Sequence, residues 1–437
     1  MREVLGLVAY LTLPAIGFSV VRLREVRRMS LDGRLAAAAA AGALTVALVM
    51  SIMSLAGLTW SLAHILPIFG AICLCSVVWV RAASTSGTVH PETGLSALLT
   101  CGLLLLASYG ALSARMTSGD MNFFWVPKAV AFVRARSIDV AFLRNPDYYL
   151  MHSDYPPLMP LIYAWTNIIS IHFAWFAAVF ASILCLAAIV AIIRASSRDA
   201  TGTLLAAAVL TYAFGLNFVA GGADPLLLLF ETLTLAALTF LQDGRSQIIL
   251  VSVGLAGGVL TKVEGASFLV AVIVTLIFLR RGARSIAGMV LPSVVVLGAW
   301  IVFVWKHDLL DAYRIGGKGL YLSALPETII LLVGHARFDA LWLPWLAPLA
   351  MIAIGPNRRR AMVPLLVGAL NAAAIVYFYL HDPHPAFWIA SSANRTLLPP
   401  LLALCVAGAA SGPMHVEVEA KSQKVTLSGE TGEAPSN

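Results

Sequence analysis

Two carboxylates carry the chemical interest of this chain because of where they stand. Asp120 lies in the stretch SARMTSGDMNFFWVPKAVAFVRARSIDVAFLRNPDYYLMHSDYPPLMPLIYAW, where acidic and aromatic residues are denser than anywhere else in the sequence. It follows an apolar run and precedes Phe123, Phe124, Trp125 and Lys128, which at helical spacing would form an amphipathic segment at a membrane surface. There Asp120 is either the cap of that helix or a reactive group. Asp154 stands in HSDYPPLMPL, before two prolines that fix the backbone and open the next helix. A carboxylate on a rigid turn suits catalysis, although prolines are also plain punctuation before a membrane helix. One carboxylate can serve as general base on a hydroxyl nucleophile. The second can position the acceptor, or the two can share magnesium or manganese, which favour hard oxygen ligands.

Other polar residues interrupt apolar sequence. Lys262 and Glu264 cost several kcal/mol if left unpaired in a membrane, so they pair with each other or face a cavity. His152, His381 and His384 match no standard zinc spacing and read as surface or capping residues. His335, Arg337 and Asp339 suggest an interfacial segment or a local salt bridge, and Trp60, Trp300, Trp305, Trp342 and Trp345 read as belt or packing residues. Cys73, Cys75, Cys101, Cys185 and Cys405 lie inside apolar segments, which implies neither disulfides nor zinc.

What must position these groups is a membrane. Apolar residues make up 60% of the 437 and charged residues 12%, and the mean hydropathy is +0.88. Soluble domains are about half apolar and a quarter charged. Backbone groups in lipid must be satisfied internally, so the spans are helices. Barrel strands would alternate, which runs such as LAAAAAAGALTVALVM do not. The expected fold is all-α: a polytopic membrane helix bundle of about thirteen spans, near 3–21, 35–56, 63–80, 95–114, 173–193, 201–219, 224–241, 247–262, 265–280, 286–305, 340–356, 361–380 and 396–411. No small-residue cleavage site follows the first run, which reads as a retained helix.

The net charge of +7 is spread as small clusters at the ends of apolar runs, the pattern of membrane orientation and not of nucleic-acid binding. Arg22/Arg24/Arg27/Arg28, Arg194/Arg198, Arg280/Arg281/Arg284 and Arg358/Arg359/Arg360 fall on one side if every span crosses, and the positive-inside rule makes that side cytoplasmic. The amino terminus is then outside and the polar tail inside. Three polar stretches, 115–157, 306–339 and 381–395, land on the outer face with the ends of the helices carrying Asp224 and Lys262. The tail, rich in Ser, Glu, Gly and Lys, is expected to be disordered.

Together these motifs resemble the GT-C superfamily of membrane glycosyltransferases, which includes protein O-mannosyltransferases and lipid A aminoarabinose transferases. GDMNFFWVPKA is similar to the family's Asp in the first large outer loop, and SDYPPL to its second acidic residue before Pro-Pro-Leu. GGADPLLLLF resembles an Asp opening a later helix, which maps Asp224. GLAGGVLTKVEGASFL resembles a Gly-rich helix ending in Thr-Lys, which maps Lys262 with Glu264 alongside. PAFWIASSANRTLLPP resembles a late outer loop and maps Arg395.

The resemblance covers roughly residues 95–411, a catalytic core. Residues 1–94 would be accessory helices without a counterpart in the minimal family core, and 412–437 a cytoplasmic tail. Where the aminoarabinose transferases carry Lys after the second acidic residue, this chain has Tyr155.

The resemblance implies a glycosyltransferase in a bacterial inner (plasma) membrane, acting on the periplasmic side. It would move a sugar from a polyprenyl-phosphate donor to a lipid, glycan or protein acceptor. Asp120 would be the base, giving one in-line displacement with inversion. Asp154 would assist, while Arg395 and Lys262 supply fixed positive charge for the phosphate. Lys128, Tyr155, Asp224 and Glu264 complete the expected substrate-binding set. An oligosaccharide ligase or polymerase shares such lipid-linked substrates but would carry a large, Arg-rich late loop, and the late loop here is short. A transporter would place polar residues at mid-membrane depth in two corresponding halves, and no such symmetry is visible.

Overall fold

Apolar runs without alternation can satisfy their backbone only as helices, and in the computed structural model every regular element among the described residues is helical. The structure describes residues 1–27, 29–79, 101–103, 105, 118–197, 200–217, 221–241, 244–309, 319–336, 342–382 and 384–412. The expected span over 95–114, apart from residues 101–103 and 105, lies outside the described residues, as do Arg28, Arg198, Arg337, Asp339 and the tail after Gly412.

The chain opens with α1 (Arg2–Leu11), α2 (Leu13–Ile16), the short α3 (Arg24–Arg27), α4 (Leu31–Leu55) and α5 (Leu62–Trp79). After the undescribed segment come α6 (Val126–Ala135), the short α7 (Val140–Arg144), α8 (Leu158–Ser170), α9 (Trp175–Ser197) and α10 (Ala200–Asn217). α11 (Asp224–Phe240), α12 (Arg245–Thr261), α13 (Glu264–Phe278) and α14 (Ala283–Lys306) follow. The last group is α15 (Leu325–Ala336), α16 (Leu343–Ile354), α17 (Arg358–Tyr379), α18 (Pro385–Thr396) and α19 (Leu398–Ser411).

Among the described residues six stretches are long and apolar enough to cross a membrane: Arg2–Arg22, Leu31–Leu55, Trp175–Ser197, Ala283–Lys306, Arg358–Tyr379 and Pro385–Ser411. The 25 residues of α4 span about 37 Å, more than the ~30 Å hydrocarbon core. The chain is therefore an all-helical protein with the spans of an integral membrane protein. Six of the thirteen expected spans meet this measure among the described residues, and others, such as 247–262 and 340–356, are apolar helices of 17 and 12 residues.

The first expected span is broken. The helix gives way at Thr12, α2 has Pro14 in its first turn, and a 3₁₀ turn runs from Phe18 to Arg22. Around this interruption backbone lies against backbone. A Cβ on Gly42 would meet the Leu13 carbonyl oxygen, and one on Gly17 would meet that of Ala38, so α2 and α4 dock through paired glycines. The tip between α4 and α5 is tied to the end of α6: the Trp60 N–H donates to the Arg136 carbonyl at 2.8 Å and the Ile138 N–H to Ser54 Oγ at 3.0 Å. One continuous core includes Ala9, Tyr10 and Ala37 from the N-terminal helices and Leu401 and Ala409 from the last. The N-terminal helices are thus built into the bundle.

Two expected loops contain helices. Residues 306–339 hold α15, and 381–395 hold most of α18. Leu332, Ile375, Tyr379, Ile389 and Ala393 form a small second core joining α15, α17 and α18. At the opposite end of the bundle Asp32 is ion-paired with Arg194, and the Asn357 side-chain amide donates to the Gly412 carbonyl at 2.6 Å. The Arg-rich ends of α4, α9 and α17 therefore lie away from the polar residues described next.

Candidate active site

Five charged residues drawn from four separated segments form one alternating chain. Asp120 is ion-paired with Arg395, and Arg395 Nη1 lies 4.0 Å from Asp224 Oδ2. Lys262 Nζ sits 2.9 Å from Asp224 Oδ1 and 2.8 Å from Glu264 Oε1. Lys262 is 5% exposed and Asp224 5%. Burying such charges is tolerated only when each finds an opposite partner, and the alternation of signs supplies one at every step.

The local sequence explains each placement. Asp120 precedes Met121–Trp125, a π-helical turn of a kind found often at functional sites. Its side chain makes no cap hydrogen bond, so the helix-cap role is not the one the structure gives it. Gly221, at φ +75, lies against Met121, where any Cβ would collide with the Met121 sulfur. That loop is pinned by Tyr163 Oη donating to the Gly221 carbonyl at 2.5 Å and by the Gly221 N–H donating to Ser182 Oγ at 2.7 Å. Asp224 then opens α11, with Pro225 in the first turn. Lys262 falls in the extended break between α12 and α13, and Glu264 begins α13. Closeness there depends on Gly265, where a Cβ would strike the Gly258 backbone.

Asp154 is presented by a tight turn in which the Tyr155 N–H donates to the His152 carbonyl at 3.0 Å, with His152 in the left-handed region at φ 49. Ser153 Oγ ties the turn to the Leu143 carbonyl at 2.7 Å, and Trp300 Nε1 donates to the Asp154 carbonyl at 2.9 Å. Trp300 is thereby a support of the turn, a tighter role than belt residue. Lys128, 2% exposed, donates to the His152 carbonyl at 2.5 Å and lies over the Trp125 ring at 5.4 Å. Tyr155 stacks on His152 at 4.5 Å and tilts against Trp125 at 6.0 Å. Burial, then the nearby Glu264 carboxylate, push the Tyr155 phenol above its ordinary range. It remains a neutral hydroxyl donor, influenced by Lys262, Asp154 and Asp120 as well.

The structure thus gathers Asp120, Asp224, Lys262, Glu264 and Arg395 by direct ion contact, and sets Asp154 and Tyr155 on the adjoining turn, to which Lys128 of α6 is hydrogen-bonded. Three features went unanticipated. Tyr379 Oη meets Ser392 Oγ at 2.7 Å and Thr396 Oγ1 at 3.0 Å, fixing the helix that carries Arg395. His152, read as surface, is packed between Phe124 and Tyr155. Glu231 is 1% exposed in α11, both its oxygens are without a hydrogen bond, and it lies seven residues, about 10 Å, along the helix from Asp224. Its signal in the sequence is that it alone is ionisable within the apolar run after Asp224. Among the described residues no group of three or more His, Cys, Asp and Glu comes together to hold a metal.

Comparisons with known protein families, with curated proteins and with solved structures find no match.

Proposed function

We propose that the chain is a GT-C-type glycosyltransferase that moves a sugar from a polyprenyl-phosphate donor to an acceptor hydroxyl, with inversion. The observation that carries this reading is the Asp120–Arg395–Asp224–Lys262–Glu264 chain, which sets carboxylates and fixed cations side by side at one end of the bundle. The order of motifs that resembles the superfamily supports it.

The acceptor oxygen attacks the anomeric carbon and loses its proton to Asp120. The bond from that carbon to the phosphate oxygen breaks, and polyprenyl phosphate leaves with one more negative charge than it carried in the donor. Arg395, with five donors in a fixed fork, takes up that charge, and general-base help is worth roughly 10²–10⁴-fold. Lys262 holds Asp224 and Glu264 in place around it. The Tyr155 hydroxyl and Asp154 orient the acceptor from the opposite turn, and Lys128 braces the turn. Asp120 and Asp154 are also the oxygen donors that magnesium or manganese would take. The site faces the periplasm, because the Arg-rich helix ends are at the other end of the bundle.

The test is transfer from a polyprenyl-phosphate sugar by the reconstituted protein, read as release of polyprenyl phosphate together with appearance of glycosylated product. Absence of both with lipid, glycan and protein acceptors sinks the reading. Glu231, buried midway along the otherwise apolar α11, favours the second reading, a transporter, since ionisable groups buried in apolar helices mark transport paths. Uptake of labelled polyprenyl-linked sugar into vesicles without transfer would select it. Topology is checked separately: a Cys replacing Asp147, which is exposed beside the Asp154 turn, should react with an impermeant maleimide from outside intact cells. Reaction only after the cytoplasmic face is opened would remove the periplasmic assignment.

A further inference from the structure

The proposed chemistry leaves one buried carboxyl unused. Glu231 is 1% exposed in α11, and neither of its oxygens has a hydrogen bond. The hydroxyls beside it are committed to the backbone: Thr232 Oγ1 donates to the Leu228 carbonyl at 2.7 Å and Thr234 Oγ1 to the Phe230 carbonyl at 3.0 Å. Seven residues are close to two helical turns, so Glu231 lies on the same face of α11 as Asp224, about 10 Å further along it. Glu264 binds Lys262 through Oε1, and its Oε2 is also buried without a hydrogen bond. The alternating chain of charges therefore gives way, on this side, to carboxylate oxygens that lack donors.

An ionised carboxylate in such surroundings needs a counter-charge. The helices packed against α11 place their charged residues at the far end of the bundle: Asp32 and Arg34 of α4, Arg194 of α9, Arg245 of α12, and Arg358, Arg359 and Arg360 of α17. Their other titratable groups are Cys185 of α9, Cys405 of α19, and Tyr377 and Tyr379 of α17. The charges that act on Glu231 come from Glu264 first, then Asp224, then Lys262, so carboxylates outweigh the one ammonium. A metal ion is a poor substitute. α11 is one uninterrupted helix here, its carbonyls are committed, and a hard cation wants about six oxygens. A proton needs only one.

We propose that Glu231 is a proton-binding site coupled to the charged chain beside it, holding its proton more firmly while an anionic ligand occupies the Arg395–Lys262 end. With Glu231 ionised, four carboxylates face two cations, a net charge of −2; with the proton on, it is −1. Bringing in a further negative charge is easier in the second state, and by linkage the bound anion strengthens the proton in return. Two unit charges about 12 Å apart at an effective dielectric of about 20 shift each other's equilibrium about tenfold. Affinity for the anion is thus high below the titration of Glu231 and falls as pH rises through it. The proton site stands on the burial of Glu231; the identity of the anion as a polyprenyl phosphate rests on the glycosyltransferase reading.

The experiment uses the full chain in detergent and the methyl diester of a long-chain polyprenyl phosphate, whose single negative charge does not titrate in the range used. Infrared spectra of wild type minus Glu231→Gln should show the carbonyl band of a protonated carboxylic acid. The band should vanish as pH is raised, and bound diester should move its midpoint up by about one pH unit. Reciprocally, wild-type affinity for the diester should fall about tenfold across that transition. Glu231→Gln, a permanently neutral isostere, should bind at every pH as tightly as acidic wild type. Glu231→Met is the second neutral variant; size-exclusion behaviour shows which is folded, and either one suffices.

A difference spectrum without the acid band, or a band that stays constant at every pH where the protein is folded, overturns the proton site. A midpoint unmoved by bound diester, or the same pH dependence of binding in wild type and a folded variant, overturns the coupling and leaves the transfer reaction standing. Absence of diester binding at any pH, beside a band that titrates, ends the polyprenyl-phosphate reading instead and leaves Glu231 as a proton site.

Discussion

Asp120→Asn should lower sugar transfer by about 10²-fold or more at saturating donor while the protein elutes from size exclusion as wild type does. The substitution preserves shape and removes only the charge that accepts a proton. Little structural cost is expected, because the Asp120 side chain caps nothing and its partner Arg395 is a quarter exposed, so the guanidinium can turn toward water when the carboxylate is lost. A cap would behave differently: its removal costs about 1 kcal/mol of helix stability and leaves turnover alone. The decisive measurement is therefore turnover in a folded variant. Wild-type rates in Asp120→Asn would leave the ion pair with Arg395 as a clasp between the π-helical turn and α18, and the base would have to be sought at Asp154.

The residues of this site were legible because a charge inside apolar sequence is costly and must have a reason. Asp224, Lys262 and Glu264 stand out from their surroundings in that way, and Asp154 stands out by its two prolines. Their pairing was not legible. Lys262 and Glu264 are near neighbours, and a mutual pair between them is what local spacing suggests. The structure adds Asp224, 38 residues away, as a second partner of the same ammonium. The Asp120–Arg395 pair joins positions 275 apart in sequence, a contact set by how α18 packs and by no local pattern.

The fold shows the same division. Strong apolar runs such as Trp175–Ser197 were placed within a few residues, because burial in lipid depends on composition alone. Three shorter elements escaped the hydropathy reading for physical reasons. α8 has only 13 residues, too few for a span, yet it is buried on nearly every side and carries Tyr163, which pins the Asp224 loop. α18 mixes polar and apolar residues, which hides it from hydropathy, and α15 is apolar but only 12 residues long; both still present apolar residues to the small core around Tyr379. The break at Thr12 leaves no mark in hydropathy, since both halves of the run are apolar. It follows from Pro14 and from the close approach that Gly17 and Gly42 permit.

Lys262→Met should be the most damaging single change to the fold and separates a structural from a functional role for the buried trio. Methionine matches the length of the lysine stem, so the loss is confined to the ammonium. Asp224 is then left 5% exposed, with Arg395 4.0 Å away as its remaining counter-charge, and Glu264 loses its partner entirely. Stranding a buried charge costs about 3–5 kcal/mol. Because the Glu264 side chain is 26% exposed and can reach water, the lower end, about 3 kcal/mol, is the expected loss, read as a fall in melting temperature and yield in detergent. The triple variant Lys262→Met, Asp224→Asn, Glu264→Gln removes the stranded charges together and should regain most of that stability, since an uncharged cluster has no desolvation to compensate. Its activity is the informative reading. If the trio only pins α11 to α12 and α13, the refolded triple variant transfers sugar at the wild-type rate. If Lys262 and Asp224 hold Arg395 in register for the departing phosphate, the triple variant is stable and still loses about 10²-fold in turnover. A Lys262→Met protein as stable as wild type would show that the ammonium is not compensating buried charge at all, and the alternating chain of five would lose its middle link.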